Sequence, residues 1–301
     1  MPTAREIRRR IRSIRNIAKV TGALEAVSAS KVRRAQSQAM ASRAYTAAAT
    51  DVLESLAELG AGEIEHPLLM ERQEVKAVLV ILITSDRGLA GPYNTNIVRE
   101  AVEFAEQQTV PVQYLTIGRK GRDSLLRRGA TIIAEFTDLP PAPAIVDIAA
   151  ITRAAMDDFL QGIVDEVYVA YTAFVNTLRQ DPVVRRLLPL VPGAGRIGSV
   201  HDGARGPRPV FTFEPDAASI LEEILPRFTE VLLYQAVLES LASEHSARMV
   251  AMRNATENAR ALVEELTLRY NKARQQAITN EMLDIVGGAE ALAQSQTESG
   301  E

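Results

Sequence analysis

From Arg227 to Val286 the sequence contains neither proline nor glycine, so nothing in this run interrupts a helix. Apolar and small residues recur along it at alternating steps of three and four, and this pattern predicts a coiled-coil helix. Gly287 and Gly288 predict the end of that helix, and the tail 293–301 is expected to be disordered. The predicted seam comprises Leu221, Ile224, Phe228, Val231, Gln235, Leu238, Ala242, His245, Met249, Met252, Thr256, Ala259, Val263, Leu266, Tyr270, Ala273 and Ala277.

A second long helix is predicted at the N-terminus, where the chain has no proline from Thr3 to Leu59 and a single glycine, Gly22. Thr3 and Glu6 fit a capping box. A helix of this length would run about 85 Å, too long for a compact domain. The two terminal helices can bury their apolar seams against each other by pairing antiparallel. The predicted N-terminal seam comprises Ile7, Ile11, Ile14 and Ala18, then Leu24, Val27, Val32, Ala35 and Ala39.

The middle of the sequence alternates short β-branched runs with helical patterns, which predicts a mostly parallel sheet with helices packed against it. The fold class is therefore an α/β lobe plus a long antiparallel coiled coil of the N- and C-terminal helices. The expected domains are 1–60 (N-terminal helix), 75–213 (Rossmann-like lobe), 214–292 (C-terminal helix) and 293–301 (tail). Strands are predicted at Val75–Thr84, Val110–Gly118, Ala130–Phe136, Ile163–Phe174 and Val210–Phe213, and helices at Asn94–Gln108, Arg119–Arg128 and Ala144–Gln161.

Basic residues are concentrated at the N-terminus: residues 1–45 carry nine Arg and two Lys against Glu6 and Glu25, a net charge of +9 in a chain whose total is −4. An Arg-rich start can be a transit peptide, and a basic helix can bind nucleic acid or an anionic membrane. The arm lacks the aromatic residues that stack on bases. A helix that faces a protein partner, with no nucleic acid bound, is the favoured interpretation.

Several kinds of site are excluded or weakened by composition. The sequence has no cysteine, which removes disulfides, thiolate nucleophiles and Cys-based zinc sites. Its three histidines are scattered, and no set of carboxylates accompanies them as metal ligands. No apolar run approaches the roughly 20 residues that span a bilayer. We therefore expect no catalytic residue, no metal, no cofactor and no membrane span.

The stretch TSDRGLAGPYNTN (Thr84–Asn96) follows the most apolar run of the chain and resembles a phosphate-binding turn. It lacks the Lys-Ser/Thr ending of a Walker A motif, and its glycines do not fit the G-x-G-x-x-G spacing. A structural turn is the favoured interpretation. In it Ser85 and Asp86 cap backbone amides, Arg87 pairs with Asp86 or a neighbour, Gly88 and Gly91 take positive φ, and Asn94 caps the next helix.

Four strings together resemble the gamma subunit of the F-type rotary ATP synthase, the central shaft of that complex. REIRRRIRSIRNIAKVTGALEAVSASKVRRAQ (Arg5–Gln36) is similar to the family's N-terminal shaft helix, and TSDRGLAGPYNTN to its first lobe turn. SEHSARMVAMRNATENA (Ser243–Ala259) and LTLRYNKARQQAITNEMLDIVGGAEAL (Leu266–Leu292) are similar to its C-terminal part. The resemblance therefore covers nearly the whole chain.

The resemblance implies a rotary central-stalk subunit, non-catalytic itself, that couples transmembrane proton flow to ATP synthesis or hydrolysis in its partners. The implied partners are an alternating hexamer of alpha and beta subunits, the epsilon subunit and the membrane c-ring. The implied location is the cytoplasmic face of the bacterial cell membrane, as a peripheral protein.

Contacts to the catalytic-subunit loops carry over from the family to Arg274, Gln275, Thr279 and Glu281. On the N-terminal helix the corresponding positions are Gly22, Leu24 and Ala26, which depart from the family's usual Lys-Ala-Met-x-Met pattern. The long basic and thioether side chains of that pattern are therefore missing at these three positions. The main alternative function is a Rossmann-like nucleotide-binding enzyme with coiled-coil arms, and a third is a nucleic-acid binder that uses the basic arm.

Overall fold

The computed structural model describes residues 3–60, 66–190 and 217–298. Contacts divide the chain into two compact units, Met1–Ala26 with Met252–Glu301 and Val27–Ala251. The predicted strand at Val210–Phe213 and residues 191–209 of the loop before it lie outside the described residues. In chain order the elements are α1 (Ala4–Gly60), β1 (Val78–Ile83), α2 (Tyr93–Glu106), β2 (Val112–Ile117), α3 (Arg119–Leu126), β3 (Ile132–Phe136), α4 (Ile145–Leu160), β4 (Glu166–Phe174), β5 (Gln180–Leu188) and α5 (Ala217–Glu298).

In the first unit, the start of α1 pairs with the C-terminal part of α5. The Thr21 and Thr256 hydroxyl oxygens are 2.7 Å apart, and Arg253 contacts Glu25 at 3.0 Å. The α1 residue nearer the N-terminus, Thr21, contacts the α5 residue with the higher number, Thr256. The two helices are therefore antiparallel, as predicted. An apolar cluster lies near the start of α1 and comprises Ile7, Ile11 and Leu266, with Ile14, Val263, Tyr270 and Ala273 against it.

The sequence predicted the start of α1 correctly and the end of α5 incorrectly. The capping box is confirmed, because Glu6 Oε2 accepts a hydrogen bond from the Thr3 amide and Thr3 Oγ1 accepts one from the Glu6 amide. The predicted end of α5 is wrong: the helix continues through Gly287 and Gly288 to Glu298. Glycine lowers helix propensity by only about 1 kcal/mol and does not remove a backbone hydrogen bond.

The second unit is built on a five-stranded sheet with the order β3-β2-β1-β4-β5. The first four strands are parallel and β5 is antiparallel to β4. The predicted mostly parallel sheet is confirmed, but β5 was missed. This strand contains Asp181, Pro182 and the adjacent charged residues Arg185 and Arg186. A proline is tolerated there because β5 lies at the sheet edge.

Both faces of the sheet are covered by helices, as in other α/β folds. Alternate residues of β1 point to opposite faces: Val78, Val80 and Leu82 join one apolar cluster, and Leu79, Ile81 and Ile83 join the other. The first cluster includes residues of α2 and α3, and the second includes residues of α4 and of α5 from Leu221 to Val237.

One residue of the predicted α1 seam is misplaced. Val27 is 54% exposed, whereas the neighbouring Ser28 is 3% exposed. A step of four from Leu24 reaches Ser28, and the buried positions then continue at Val32. Hydrophobicity favoured the valine, but the helical period decides which residue faces the core.

Candidate functional site

The turn after β1 is closed by a hydrogen-bond network between Ser85 and Asn94. Asn94 Oδ1 accepts a bond from the Ser85 amide at 3.0 Å, and Asn94 Nδ2 donates to Ser85 Oγ at 2.8 Å. Ser85 Oγ in turn donates to the Arg87 carbonyl oxygen at 2.6 Å. The predicted helix cap by Asn94 is wrong: Pro92 occupies the N-cap, without a side-chain cap bond, and Asn94 lies inside α2.

The Asp86 side chain bonds to the segments that follow the next two strands, β2 and β3. Its Oδ1 accepts a bond from the backbone amide of Arg119, the first residue of α3, and its Oδ2 accepts one from the amide of Asp138, both at 3.1 Å. A helix N-terminus is where a phosphate would bind. Here a carboxylate of the chain already bonds to that amide, which disfavours a nucleotide at this position.

The glycines of the turn differ from the prediction at one position. Gly91 has φ +56°, as expected, but Gly88 is absent from the positive-φ residues of the described chain, and Leu89 takes φ +65° instead. The Arg87 side chain forms no ion pair within the described residues, so the predicted pairing with Asp86 or a neighbour is also wrong. Instead the Arg87 carbonyl oxygen accepts bonds from Ser85 and Arg248.

A small cavity lies beside this turn, between the sheet and α5. Its volume is about 60 Å³. Pockets for ligands of nucleotide size are roughly 300–1,000 Å³, so this cavity is too small for a mononucleotide. Its polar lining residues include Thr84, Ser85, Asp86, Tyr93, Ser240 and Glu244.

Burial shifts the pKa values of ionisable groups near the cavity. Burial raises the pKa of the Glu244 carboxyl, and the ion pair with Arg248 opposes that rise. Burial, and then the charges of Arg248 and Lys31, lower the pKa of His245 to about 4. His245 is therefore neutral at pH 7 and packed in the core. No group of three or more His, Asp or Glu in the described parts of the chain is arranged to hold a metal.

The four predicted contact residues near the C-terminus lie on an unpaired part of α5. Every residue from Arg274 to Ala289 is exposed, whereas Ala273, just before them, still packs in the apolar cluster of the first unit. Thr279 Oγ1 donates to the Gln275 carbonyl oxygen at 3.0 Å. Arg274, Gln275, Thr279 and Glu281 thus remain available to a partner. We call residues 274–289 the tip.

The tip also exposes apolar residues that sequence reasoning missed. They are Ile278, Met282, Leu283, Ile285 and Val286, with exposures from 49% to 67%. Ile278 and Ile285 follow Arg274 at i+4 and i+11, and Met282 and Val286 follow Gln275 at i+7 and i+11, so both sets share the contact face. An apolar face that continues past the end of the paired seam was the available signal.

The N-terminal contact positions lie where α1 pairs with α5. Gly22 and Leu24 are half-buried and Ala26 is exposed. A Cβ on Gly22 would be 4.0 Å from Thr256 Cγ2, an ordinary van der Waals distance. Any side chain at position 22 would therefore begin in contact with α5.

A family model described as ATP synthase matches residues 3–292. The ATP synthase gamma chain of Dehalococcoides mccartyi strain 195 is 49% identical over 294 residues, which cover 97% of this chain and 100% of the relative. The chain belongs to the ATP synthase gamma family. The gamma chain of Roseiflexus sp. strain RS-1 is 48% identical over 98% of this chain and 100% of its own length.

Solved structures share the fold of this gamma family member. The rotor of the Euglena gracilis mitochondrial ATP synthase in rotational state 1 matches with a TM-score of 0.64 at 19% identity, over 91% of this chain and 98% of the other. The central stalk and c-ring structure from Tetrahymena thermophila matches with a TM-score of 0.60 at 24% identity, over 78% and 99%. In the described parts of the chain no helix is long and apolar enough to cross a membrane.

Proposed function

We propose that the chain is the rotating central-stalk subunit that couples transmembrane proton flow to ATP synthesis, or to hydrolysis in reverse. Membership of the ATP synthase gamma family makes it a subunit of that complex. The subunit itself has no chemistry in this proposal. It changes the conformations of partner catalytic sites because each orientation of an asymmetric rotor contacts those sites differently.

The tip is the observation that carries the proposal. A single helix that exposes apolar residues over several turns would not be stable facing water alone, so it needs a partner. Arg274, Gln275, Thr279 and Glu281 lie among those apolar residues, which gives the face both charged and apolar contacts. We assign these four residues to contacts with loops of the catalytic subunits.

The partners follow from the same proposal. An alternating hexamer of alpha and beta subunits would surround the terminal helices, and the epsilon subunit and the membrane c-ring would bind the lobe. Exposed Arg5, Arg8, Arg9, Arg12 and Arg15 would face protein partners. The protein would then be peripheral, at the cytoplasmic face of a bacterial membrane, and bind no nucleic acid.

The rival function, a nucleotide-binding enzyme with coiled-coil arms, is disfavoured by the turn after β1. The neighbouring cavity is small, and Asp86 already bonds to the first amide of α3. Titration of the full chain with ATP and with NAD tests the rival directly. We expect no saturable binding at micromolar concentration, and stoichiometric binding would overturn our interpretation of the lobe.

Co-purification tests the proposed function itself. The tagged full chain is isolated from membranes of the cell that makes it, and its partners are identified and counted by mass spectrometry. We expect a hexameric ATPase with one copy of this chain per complex. A chain that purifies alone, or bound to DNA through a salt-dependent contact, would contradict the proposal.

A further inference from the structure

Within the second unit, α5 contacts the sheet in two chemically different ways. From Leu221 to Val237 its contacts are largely apolar and belong to the larger core cluster. From Glu239 to Arg248 it makes directional hydrogen bonds to backbone groups at the carboxyl edge of the parallel strands. Apolar contacts have no preferred direction, whereas hydrogen bonds weaken steeply away from good geometry. The second group therefore fixes orientation in a way that the first cannot.

Two serines of α5 form hydrogen bonds with backbone groups near the end of β4. The pairing of β4 with β1 ends at Ala170. Beyond it, the Thr172 amide donates to Ser240 Oγ at 3.2 Å, and the Thr172 carbonyl oxygen accepts a bond from Ser243 Oγ at 3.0 Å. Both backbone groups of one strand residue thus bond to the helix.

An ion pair between a half-buried arginine and a buried carboxylate links three elements close by. Arg43 of α1 contacts Glu239 Oε1 at 2.9 Å and donates to the carbonyl oxygen of Phe174, at the end of β4, at 2.9 Å. Glu239 is fully buried and its Oε2 has no partner within the described residues. A buried ion pair contributes little stability for its cost, and a role in fixing register is its best-supported use.

A second arginine binds the turn after β1. Arg248 forms an ion pair with Glu244 at 2.7 Å and donates to the carbonyl oxygens of Arg87 and Gly88 at 3.3 Å. The arginine and glutamate side chains are each only 13% exposed. The turn also comes close to α5 at Gly91, where a Cβ would be 3.6 Å from Ala251 Cβ.

We propose that Arg43, Glu239, Ser240, Ser243, Glu244 and Arg248 form a polar joint that fixes the angle of the sheet on α5. Torque applied to the lobe then turns α5 with it, because the joint prevents the lobe from slipping around the helix. The inference rests on the proposed rotary function and adds a role for residues inside the subunit, away from any partner. These are positioning residues, because they hold one part of the rotor against another.

The test uses the complete complex with Arg248→Gln, and separately with Ser243→Ala in case the first variant fails to assemble. Assembly is checked first by counting one chain per hexamer, so that failure of the proposed function is distinguished from failure of the joint. We expect hydrolysis to continue while protons pumped per ATP hydrolysed fall at least about two-fold, because part of the directional contact is lost. The control is Arg227→Gln, which breaks an exposed pair with Glu223 on the same helix and leaves the ratio unchanged.

The decisive second experiment measures the same pumping ratio after the turn and α5 are cross-linked by an engineered disulfide. The chain has no cysteine, and the Gly91 to Ala251 separation suits a disulfide between Gly91→Cys and Ala251→Cys. Because Gly91 has φ +56°, a cysteine there adds backbone strain of about 1 kcal/mol, so the reduced double variant serves as the reference for the oxidised one. We expect the oxidised bond to leave the wild-type ratio intact and to restore it in the Arg248→Gln background, with reversal by dithiothreitol. The proposal is overturned if both joint variants couple normally, if the oxidised bond fails to restore coupling, or if that bond alone stops proton pumping.

Discussion

The carbonyl oxygen of Thr84 lies so close to Gly118 that a Cβ on the glycine would be 2.2 Å from it. Gly118 also has φ +94°, which L side chains rarely adopt. The close approach lets Thr84 Oγ1 donate to the Ile117 carbonyl oxygen and accept a bond from the Gly121 amide. The first two turns at the carboxyl edge of the sheet are therefore locked together at a glycine.

Gly118→Ala should destabilise the lobe by about 3 kcal/mol or more, because it adds a clash with rigid backbone to the strain of positive φ. Gly129→Ala is the matched control: Gly129 has φ +73° but nothing within 4 Å of a new Cβ, so only the strain of about 1 kcal/mol applies. Urea unfolding of the full chain measures both. Equal losses would show that the Thr84 contact is not rigid.

The fold was predictable where period and propensity agree, and the failures have identifiable causes. Alternate residues of β1 enter opposite cores, and such a wholly apolar run marks a central parallel strand. Strand β5 was missed because Pro182 and its charged neighbours resemble a loop unless the strand is known to be an edge. Gly287 and Gly288 suggested a helix end, yet α5 continues to Glu298.

The candidate site was only partly predictable, because its bonds join residues distant in sequence. Asp86 was expected to cap its own turn, but its carboxylate bonds to the amides of Arg119 and Asp138. Nothing local to Arg248 indicates that it binds the carbonyl oxygens of Arg87 and Gly88. The contact residues of the tip came from family resemblance, and spacing alone would not have selected them.

Stability in the second unit should depend on pH through His245. Its pKa is lowered to about 4 by burial, then by Arg248 and Lys31, against about 6.5 in the unfolded chain. Between those values the unfolded chain binds more protons, so the free energy of unfolding falls as pH falls from about 6.5 to 4. The full difference corresponds to about 3 kcal/mol.

His245→Gln should flatten this part of the pH profile of the melting temperature, measured on the full chain between pH 7 and 5. The raised pKa of Glu244 acts in the opposite direction, because the folded carboxyl takes up its proton at a higher pH than the unfolded one. Glu244 is present in both proteins, so the difference between their profiles isolates His245. Two parallel profiles would show that His245 keeps its ordinary pKa.

Gly22→Ala should raise stability by about 0.5–1 kcal/mol, since alanine is the better helix former and its Cβ would meet Thr256 Cγ2 at a normal distance. Gly287→Ala is the control, because Gly287 lies in the unpaired tip with nothing within 4 Å. The tip can fray independently of the packed helices, so this control should not move the main melting transition.

Thermal unfolding of the full chain by circular dichroism checks the Gly22 prediction. A loss of stability in Gly22→Ala would mean that the two helices approach more closely than the described contacts imply. If the variant chain is more stable but the complex loses activity, position 22 contacts a partner, as the family resemblance implies for Gly22, Leu24 and Ala26.

Truncation after Tyr270 should remove coupling while leaving the lobe folded. It deletes the tip but none of the residues in the two core clusters of the second unit. ATP-driven proton pumping in the assembled complex should fall at least about five-fold, as expected when the centre of an interface is lost. The melting transition of the second unit should be unchanged, and this checks that the lobe is intact.

Substitutions on the two faces of the tip decide whether the assigned residues are responsible. Alanine at Arg274, Gln275, Thr279 and Glu281 together should reproduce most of the loss of pumping, because they share a face with the exposed apolar residues. The matched control places alanine at Gln276, Asn280 and Asp284, which are equally exposed but lie on the opposite face of the helix. If the two sets of substitutions lower the pumping ratio equally, the tip acts through its length alone and the four contacts are wrongly assigned.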